Sequence, residues 1–355
     1  MKRVVFLTNA LALGGAEKVF IEESSELQRR GYDVHMVLLF RLGERAKDTN
    51  SPVPVQVIGM RSVFDVRGFV RALRMVRNLK PDVLYTTLNE ANFVGRLIAC
   101  MLPRATLLTR ESNTADSKPL LYKLGDIFFG LRSSTIIAVS DAVGRSVTAY
   151  APHLASRIRT LYNATAVLPD TASTGSDSAH ESVRLLTVGS LTEKKDHAVL
   201  VKAMKYLPPQ ITLTIAGGGS LRKELEALAY AEEVADRIVF TGLLQPERVA
   251  ELYRSHDLFV LPSKREGCPN VVLEALSYQL PVVAFDIPGM SEFVQPQWGI
   301  VVSTRNPKEF AAAIEKLITS PVEVRRKMGH AGAAHIAGEH TMHTHIEKLM
   351  QLFSY

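Results

Sequence analysis

Short apolar segments alternate with helical patterns along nearly the whole of this 355-residue chain. The predicted strands, such as residues 4–7, 34–39 and 258–261, are rich in Val, Ile and Leu and hardly alternate with polar residues. Such strands are buried on both faces, which is typical of a parallel sheet covered by helices. The repeated strand–helix order therefore predicts an α/β chain with doubly wound, Rossmann-like sheets.

The strand–helix alternation lapses once, between residues 164 and 182. Residues 171–178 are small or polar, the composition of a linker or a long surface loop. A chain of this length is also too long for one ordinary core. We therefore predict a first domain over residues 1–165 and a second of similar build over residues 183–338. The helical tail, residues 340–355, could pack back on either domain.

Composition and charge narrow the setting in which the chain works. Its formal net charge of +6 favours contact with anionic surfaces or substrates. Cys100 and Cys268 lie far apart without metal-ligand spacing, which fits a reducing, cytoplasmic environment. No apolar run approaches the roughly 20 residues that a membrane span needs. The basic N-terminus and the apolar segment after it imitate a signal peptide, but Thr8 and Asn9 interrupt that segment, and we interpret it as a buried strand.

Glu266 and Glu274 enclose the most informative stretch, Glu-Gly-Cys-Pro-Asn-Val-Val-Leu-Glu. Strand signals precede it and helix signals follow it, with Asn270 as the predicted N-cap. Glu266 then lies in a loop at the carboxyl end of a strand, where open α/β sheets bind ligands. Free N–H groups at a helix N-terminus attract anions, so two flanking carboxylates suit a ligand with a sugar at one end and a nucleoside at the other. Alternatively, Glu266 caps the turn and Glu274 is a solvated helix residue.

Two glycine-rich turns are candidates for phosphate contact. Gly14 and Gly15 follow the first predicted strand and open a helix, and residues 217–219 do the same in the second half. Glycine permits positive φ and a close approach of backbone to ligand at such turns. Neither turn has the dinucleotide-binding fingerprint, and a purely structural turn is the alternative.

Charged residues follow two further predicted strands. Lys194 and Lys195 come just beyond a strand end, where they could balance a diphosphate, although a solvated surface pair is the alternative. Arg110, Glu111 and Asn113 end a strand of the first half and face whatever that sheet edge binds. A polar loop with an N-cap explains these three residues equally well.

A basic amphipathic helix is predicted over residues 69–80. It carries Arg71, Arg74, Arg77 and Lys80, and Val and Leu form its other side. This pattern indicates contact with an anionic membrane surface or a pyrophosphate-linked lipid. The alternative is a surface helix whose apolar stripe packs in the domain core, and the two interpretations are compatible.

No metal site is predicted. Glu339, His340, His343 and His345 match no strong metal-binding spacing, and we interpret them as a polar helix face.

Taken together, these segments resemble the retaining glycosyltransferases of family 4, which have the GT-B fold of two facing Rossmann-like domains with the active site in the cleft between them. The resemblance covers almost the whole chain. Its most specific motifs are Pro262-Ser263, the Glu266 to Ala275 segment, Leu280-Pro281-Val-Val-Ala284 and Gly289-x-x-Glu292. Weaker matches are Gly14-Gly-Ala-Glu17, Ala138-Val-Ser140, Val188-Gly-Ser-Leu191 with Lys195, and Ala216-Gly-Gly-Gly-Ser-Leu-Arg222.

The resemblance implies a role for each matched residue, with the acceptor in the first domain and the nucleotide-sugar in the second. Glu266 would contact the donor sugar near the reacting carbon, and Glu274 would accept hydrogen bonds from the ribose. Lys195 would offset the charge that builds on the departing diphosphate, which makes Glu266 and Lys195 the catalytic pair. The implied donor-binding set is Gly14, Gly15, Ser190, Lys195, Gly217, Asn270, Val271, Val272 and Glu274.

The chain departs from the family pattern at two places. Ser190 stands where the family often has an arginine, and Arg110 or Lys194 could supply the missing charge. The first-domain loop that contains Arg110, Glu111 and Asn113 lacks the histidine that usually contacts the donor sugar's 6-hydroxyl. These three residues are candidates for acceptor binding.

The resemblance implies a retaining hexosyl- or N-acetylhexosaminyltransferase that uses a UDP-sugar and extends a lipid-linked glycan of a cell-surface polysaccharide or lipopolysaccharide. The resemblance also implies that no metal or other cofactor is needed, and the absence of an Asp-x-Asp motif is consistent with this expectation. We expect a cytoplasmic protein, peripheral on the inner face of the cytoplasmic membrane through its basic helix, with no nucleic-acid partner. The alternatives are a GT-B epimerase or hydrolase that needs no acceptor, and a non-catalytic sugar-nucleotide- or glycan-binding protein.

Overall fold

The computed structural model describes residues 1–11, 14–43, 53–165 and 183–354, which form two compact units. Unit 1 comprises Met1–Ala164 together with Met342–Tyr355, and unit 2 comprises Thr165–Thr341. The linker predicted over residues 171–178 lies outside the described residues.

Unit 1 is built on a seven-stranded sheet in the order β3-β2-β1-β4-β5-β6-β7. Its strands are β1 (Arg3–Thr8), β2 (Asp33–Leu38), β3 (Val55–Val57), β4 (Val83–Thr87), β5 (Thr106–Glu111), β6 (Thr135–Ala138) and β7 (Ile158–Thr160). All neighbouring strands pair in parallel, as predicted from their apolar composition. The sequence did not predict β7, because this edge strand is short and two of its three residues are exposed.

Helices cover both faces of this sheet. They are α1 (Gly15–Arg29), α2 (Val66–Leu79), α3 (Asn89–Met101), α4 (Leu120–Phe129), α5 (Asp141–Tyr150) and α13 (Met342–Gln351). Residues of α1 and α13 share one core cluster with the strands, and residues of α2 and α3 share the cluster on the opposite face. Helix α4 lies on the same face as α3. Its Ile127 packs against Ile136 of β6, and the next strand residue, Ile137, belongs to the cluster on the α1 face. Because neighbouring residues of a strand point to opposite faces, Ile136 and α4 lie on the α3 face.

Helix α4 was not predicted from the sequence. Its pattern is inverted, because Leu124 and Phe128 are exposed, whereas Gly125 and Asp126 are buried. Periodicity arguments assume that apolar residues mark the buried side of a helix, so they fail on such a segment.

Unit 2 has a six-stranded parallel sheet in the order β10-β9-β8-β11-β12-β13. Its strands are β8 (Arg184–Val188), β9 (Thr212–Ala216), β10 (Ile238–Gly242), β11 (Leu258–Leu261), β12 (Val282–Phe285) and β13 (Gly299–Val302). Its helices are α6 (His197–Met204), α7 (Arg222–Ala231), α8 (Pro246–Ser255), α9 (Asn270–Ser277), α10 (Met290–Phe293), α11 (Pro307–Ile318) and α12 (Val322–Glu339). Within the described ranges, none of the helices combines the length and the hydropathy needed to cross a membrane.

Each sheet has one point at which the strand order reverses. In unit 1 the chain moves from β1 to β3 on one side and then continues with β4 on the other side of β1. In unit 2 the same reversal separates β8 from β11. The carboxyl ends of strands at such a reversal form a crevice in which open α/β sheets bind ligands. The predicted doubly wound α/β fold is therefore confirmed, with one binding crevice expected in each unit.

Candidate active site

Lys195 and Glu266 form an ion pair at the strand-order reversal of unit 2. Lys195 follows β8 and Glu266 follows β11, so the sheet brings the two loops together. The Lys195 Nζ lies 2.7 Å from the Glu266 Oε1, and the Ser263 hydroxyl donates to the same oxygen at 2.6 Å. The Lys194 Nζ lies 3.9 Å from the other carboxylate oxygen, Oε2. The Glu266 side chain is therefore held between two ammonium groups and a hydroxyl.

The electrostatics of this cluster keep Glu266 ionised. Burial alone would raise the pKa of Glu266, but the charges of Lys195 and Lys194 and two hydrogen bonds together lower it below its ordinary value of 4.5. The pKa of Lys194 is lowered, first by burial and then by its cationic neighbours, although Glu266 opposes the shift. Burial, with a smaller effect of Lys195, lowers the pKa of His197 to about 4, so this imidazole adds no positive charge at neutral pH.

Glu274 lies on α9 and is oriented by a tyrosine that the sequence analysis missed. The Tyr253 hydroxyl, which comes from α8, donates to the Glu274 Oε2 at 3.0 Å. Burial and then the charge of Glu274 raise the pKa of Tyr253 well above its ordinary value of 10, so the hydroxyl remains a donor. Tyr253 belongs to none of the sequence motifs, and its role is visible only from its contacts with Glu274 and Tyr278 in the folded unit.

The start of α9 differs from the prediction. Asn270 is the first helical residue rather than the N-cap, which is Pro269, and no side chain caps this end. The Asn270 N–H donates to the Cys268 carbonyl at 3.0 Å, and the Val272 N–H donates to the Pro269 carbonyl at 2.8 Å. Asn270, Val271 and Val272 belong to the implied donor-binding set, and two of their three N–H groups are thus already engaged with backbone carbonyls.

The glycine turn after β9 has a structural reason for its composition. Gly217 has φ of +146°, and a Cβ there would lie 2.0 Å from the Gly189 carbonyl oxygen. A Cβ on Gly219 would lie 2.3 Å from the Leu191 carbonyl oxygen. The turn therefore packs backbone against backbone on the segment that leads to Lys195, and glycine is required for that contact.

The first glycine turn, in unit 1, is less demanding. Gly14 is the N-cap of α1 with φ of −90°, so the positive φ expected there is not used. Gly15 is the first residue of α1, and residues 12 and 13 lie outside the described residues.

The structure distinguishes between the two candidates for the charge missing at Ser190. Ser190 is exposed, and its hydroxyl lies 3.4 Å from that of Thr192. Lys194 lies beside Glu266, as described above. Arg110 is only 1% exposed and belongs to unit 1, where its guanidinium donates to Glu23 and Asn163 and, at 2.8 Å, to the Tyr85 hydroxyl. The Arg110 guanidinium is therefore engaged by partners within unit 1 rather than available to replace the missing arginine, and its assignment to acceptor binding stays a prediction.

Glu111 is also buried and has partners within unit 1, and its assignment to acceptor binding stays a prediction. Lys118 Nζ lies 2.8 Å from its Oε2, and Asn92 donates to its Oε1 at 3.1 Å. Strand β5 runs to Glu111 because its parallel ladder with β6 continues to Ala138. The predicted strand was too short, so two buried strand residues were interpreted as an exposed loop. Asn113, the third candidate, is exposed.

A polar pocket lies at the strand-order reversal of unit 1. Asn9 follows β1, and Asn89 and Glu90 follow β4, whereas Ser112 and Asn113 follow β5. The Asn9 side chain donates to the Glu90 Oε2 at 2.7 Å. The cavity volume of about 110 Å³ is well below the roughly 300 Å³ of ordinary small-molecule pockets, so it fits part of a hydroxylated ligand. The signal that could have found Asn9, Asn89 and Glu90 is their position directly after strands.

Of the three predicted face histidines near the C-terminus, His343 is exposed, whereas His340 and His345 are buried. His345 on α13 is buried, with its Nε2 2.6 Å from the Glu23 Oε1 and its Nδ1 2.7 Å from the Tyr162 carbonyl oxygen. His340 is buried as well. His345 thus joins the Glu23–Arg110 cluster and ties the last helix to unit 1.

Comparisons with known proteins agree with this fold. Residues 13–166 match the family described as Glycosyltransferase Family 4, and residues 171–335 match Glycosyl transferases group 1. An uncharacterized glycosyltransferase of Haemophilus influenzae is 25% identical over 335 residues, which cover 90% of this chain and 92% of that protein. The lipopolysaccharide core biosynthesis glycosyltransferase LpsE of Rhizobium meliloti is 23% identical over 354 residues, 96% of each chain. The crystal structure of Anabaena HepE in complex with UDP has a TM-score of 0.87 and 19% identity, with both chains covered completely.

Two parallel Rossmann-like sheets with these structural neighbours define a GT-B protein. The chain belongs to the group 1, family 4 glycosyltransferases, as the two family matches together establish.

Proposed function

We propose that this protein is a retaining glycosyltransferase that moves a sugar from a UDP-sugar to a lipid-linked glycan during assembly of a cell-surface polysaccharide or lipopolysaccharide. The observation that carries the proposal is the ionised Glu266 carboxylate, held by Lys195 and Ser263 at the crevice of unit 2. HepE, whose structure has been determined with UDP and with UDP-glucose, supports a uridine nucleotide. LpsE supports a role in surface-glycan assembly.

The cationic groups of the cluster act on the leaving group. As the bond between the anomeric carbon and the diphosphate breaks, negative charge builds on the departing UDP. Lys195 and Lys194 stabilise this charge more in the transition state than in the ground state, because they are already in place.

Glu266 acts on the sugar. Its Oε1 accepts from both Lys195 and Ser263, whereas its Oε2 lies 3.9 Å from Lys194. We assign Oε2 to a donor-sugar hydroxyl near the anomeric carbon, where the negative carboxylate stabilises the positive charge of an oxocarbenium-like transition state. We prefer front-face attack by the acceptor over a covalent intermediate on Glu266, as the family resemblance implies.

The remaining donor contacts follow from α9. Glu274, held by Tyr253, accepts hydrogen bonds from the ribose hydroxyls. We propose that charge stabilisation by lysines makes a bound metal unnecessary, so transfer should persist when a chelator is present.

The pocket of unit 1 is assigned to the acceptor. Its amide, hydroxyl and carboxylate groups, from Asn9, Asn89, Glu90, Ser112 and Asn113, suit the hydroxyls of one sugar ring. Arg110 and Glu111 also line this pocket, although their side chains have hydrogen-bond and ion-pair partners inside the unit.

Two surfaces of unit 1 support a peripheral position on the inner face of the cytoplasmic membrane. Helix α2 contains no acidic residue and exposes Arg71, Arg74 and Arg77. Helix α4, on the same face of the sheet, exposes Leu124 and Phe128, and Phe128 is 72% accessible. A basic face beside exposed apolar side chains is typical of binding to an anionic bilayer.

A panel of UDP-, GDP-, ADP- and dTDP-sugars tests the donor assignment. We expect one UDP-sugar to stabilise the protein against heat and to be hydrolysed slowly without acceptor, and Glu266→Gln to abolish the hydrolysis. NMR of the released product should show the anomeric configuration of the donor. Protection without turnover by any donor would favour a binding protein, and fast turnover without acceptor would favour a hydrolase or epimerase.

A further inference from the structure

Arg305 connects the two loops that carry the Lys195–Glu266 pair. We name residues 192–196 the lysine loop and residues 262–266 the glutamate loop. Arg305 Nη1 donates to the Ser263 carbonyl at 3.0 Å, and Nη2 donates to the Pro262 carbonyl at 2.7 Å. The same Nη2 donates to the Asp196 Oδ2 at 2.6 Å. One guanidinium therefore binds both loops at once.

The path of the Arg305 side chain is fixed by the sheet. Arg305 follows β13 at the edge of unit 2, and its guanidinium carbon lies 4.5 Å from the ring centre of Phe285, the last residue of β12. The side chain thus crosses the end of β12 to reach the loops after β11 and β8. Stacking of guanidinium on an aromatic ring holds its plane while the N–H groups donate.

Asp196 contacts Arg305 instead of capping its own helix, and it does so with an unfavourable backbone conformation. It occupies the N-cap position of α6, where an aspartate ordinarily accepts from its own helix, but it makes no side-chain capping bond. Its backbone is left-handed, with φ of +49°, which is uncommon for any residue except glycine. Its carboxylate is turned to Arg305 instead. Backbone strain and a forgone cap at a single residue are typical of positions that serve a site.

A second link shows that the loops are held in register. The Lys264 N–H donates to the Lys194 carbonyl at 2.8 Å, so the backbones of the two loops meet directly. Lys195 is the neighbour of both Lys194 and Asp196, and small shifts of either loop would separate its Nζ from Glu266.

We propose that Arg305 is a positioning residue that sets the distance between Lys195 and Glu266 by clamping the lysine loop to the glutamate loop. This inference rests on the proposed function for its kinetic consequence, but not for its structural one. Since a displacement of about 1 Å can cost on the order of 100-fold in rate, we expect Arg305→Met to lower kcat for donor turnover by about tenfold or more, with donor KM changed less than about threefold.

The decisive measurement requires no substrate. In full-length protein carrying carboxyl-labelled glutamate, the ¹³C resonance of Glu266 is assigned by its loss in Glu266→Gln and titrated against pH. In Arg305→Met, Lys195 is displaced from Glu266, so the midpoint of the Glu266 titration should lie about one pH unit higher than in the wild type. Arg305→Lys, which keeps the charge but not the fork of donors, should restore part of the difference. Asp196→Asn weakens only the contact of Arg305 with the lysine loop, so it should raise the midpoint of the Glu266 titration by less than Arg305→Met does.

Arg325→Met is the matched control. Arg325 also binds three backbone carbonyls in unit 2, those of Leu317, Ile318 and Ser320 at the end of α11. Arg325→Met should lower Tm and leave the midpoint of the Glu266 titration unchanged. The same titration in Arg305→Met and wild type, or equal shifts in Arg305→Met and Arg325→Met, would overturn the proposal. A shifted titration in a protein that turns over no nucleotide-sugar would sustain the positioning role and reject the proposed function.

Discussion

The Tyr253 hydroxyl donates a hydrogen bond of 3.0 Å to the Glu274 carboxylate, so the residue assigned to the ribose is oriented before any nucleotide binds. Tyr253→Phe removes this bond and preserves the buried ring that stacks on Tyr278. We expect UDP to bind about fivefold more weakly, since one hydrogen bond contributes roughly 1 kcal/mol, and kcat to change little. Calorimetric titration with UDP measures the effect. Unchanged affinity in a well-folded variant would separate Glu274 from the nucleotide.

Substitutions of Glu266 and Glu274 should affect different kinetic constants. Glu266→Gln should lower kcat by about 100-fold or more, because the negative charge near the reacting carbon is lost. Glu274→Ala should mainly raise donor KM, by about 10- to 100-fold, because a charge-assisted hydrogen bond contributes roughly 1.5–3 kcal/mol. Steady-state kinetics with the donor identified by the panel measures both. An unchanged kcat in Glu266→Gln, or an unchanged donor KM in Glu274→Ala, would refute the site assignment.

The Lys195–Glu266 pair also predicts a pH dependence. The folded-state pKa of Glu266 lies below its ordinary value of 4.5, so its contribution to stability is present above that value and is lost as pH falls through the folded pKa. In Lys195→Met, burial acts with less opposition and raises the pKa of Glu266. The acid limb of the kcat/KM profile should therefore move to higher pH by about one unit or more.

Lys264→Met is the control for this pH shift. Lys264 lies in the glutamate loop, but its ammonium is half exposed and 3.9 Å from Asp196 rather than beside Glu266. The acid limb of the kcat/KM profile of Lys264→Met should match that of the wild type. An equal shift in both variants would mean that general charge, rather than the specific pair, sets the titration.

The Arg110–Glu23 pair predicts a large loss of stability. Burial would raise the pKa of Glu23, but Arg110 and then His345 lower it. Arg110→Met leaves this carboxylate buried with one cation fewer, so we expect unfolding free energy to fall by about 3–5 kcal/mol. Denaturant unfolding measures the change. The double variant Glu23→Met/Arg110→Met removes both charges and should recover much of the loss, whereas additive losses would contradict the electrostatic explanation.

Membrane binding should depend on two helices with different salt sensitivity. Neutralising Arg71, Arg74 and Arg77 to Gln should weaken sedimentation with phosphatidylglycerol-containing vesicles by about 100-fold at low salt, since each cation near the surface contributes roughly 1 kcal/mol. Leu124→Gln/Phe128→Gln should weaken it by about tenfold or more at low and high salt alike, because apolar burial is not screened.

A matched control for α4 comes from unit 2. Tyr206→Gln/Tyr230→Gln removes two large side chains that are somewhat more exposed than Leu124 and Phe128, and it should leave vesicle binding unchanged. Unchanged sedimentation of the α2 variant would mean that its arginines are ordinary surface residues. A dimer that dissociates on altering α4, with vesicle binding intact, would identify that face as a subunit contact.

The fold was largely predictable because its determinants are local. Strands such as β8 and β11 are mostly apolar and buried, and each is followed by a helix, so their parallel arrangement follows from composition and element order. The exceptions are also local in origin. Strand β7 has no apolar run, and α4 exposes the residues that ordinarily mark a buried side.

The site was predicted only where a motif carried it. Glu266, Glu274 and Lys195 were identified from motifs that resemble those of the family, and the structure brings Lys195 to Glu266. The burial of Arg110 was not predictable, since its partner Glu23 is distant in sequence and a charged residue at a strand end is ordinarily exposed. Arg305 carried no signal, because its role arises from three acceptors on two other loops.

The position of α13 has a consequence for the order in which the protein is made. Ile346 and Leu349 complete the same apolar cluster as Val4, Phe6 and Phe20, although all of unit 2 lies between them in the chain. On the ribosome, unit 2 is synthesised in full while one face of the first sheet still lacks part of its cover. Unit 1 therefore begins before unit 2 is made and is completed after it. Deletion of α13 should damage the core of unit 1 rather than that of unit 2, although unit 2 is its neighbour in sequence.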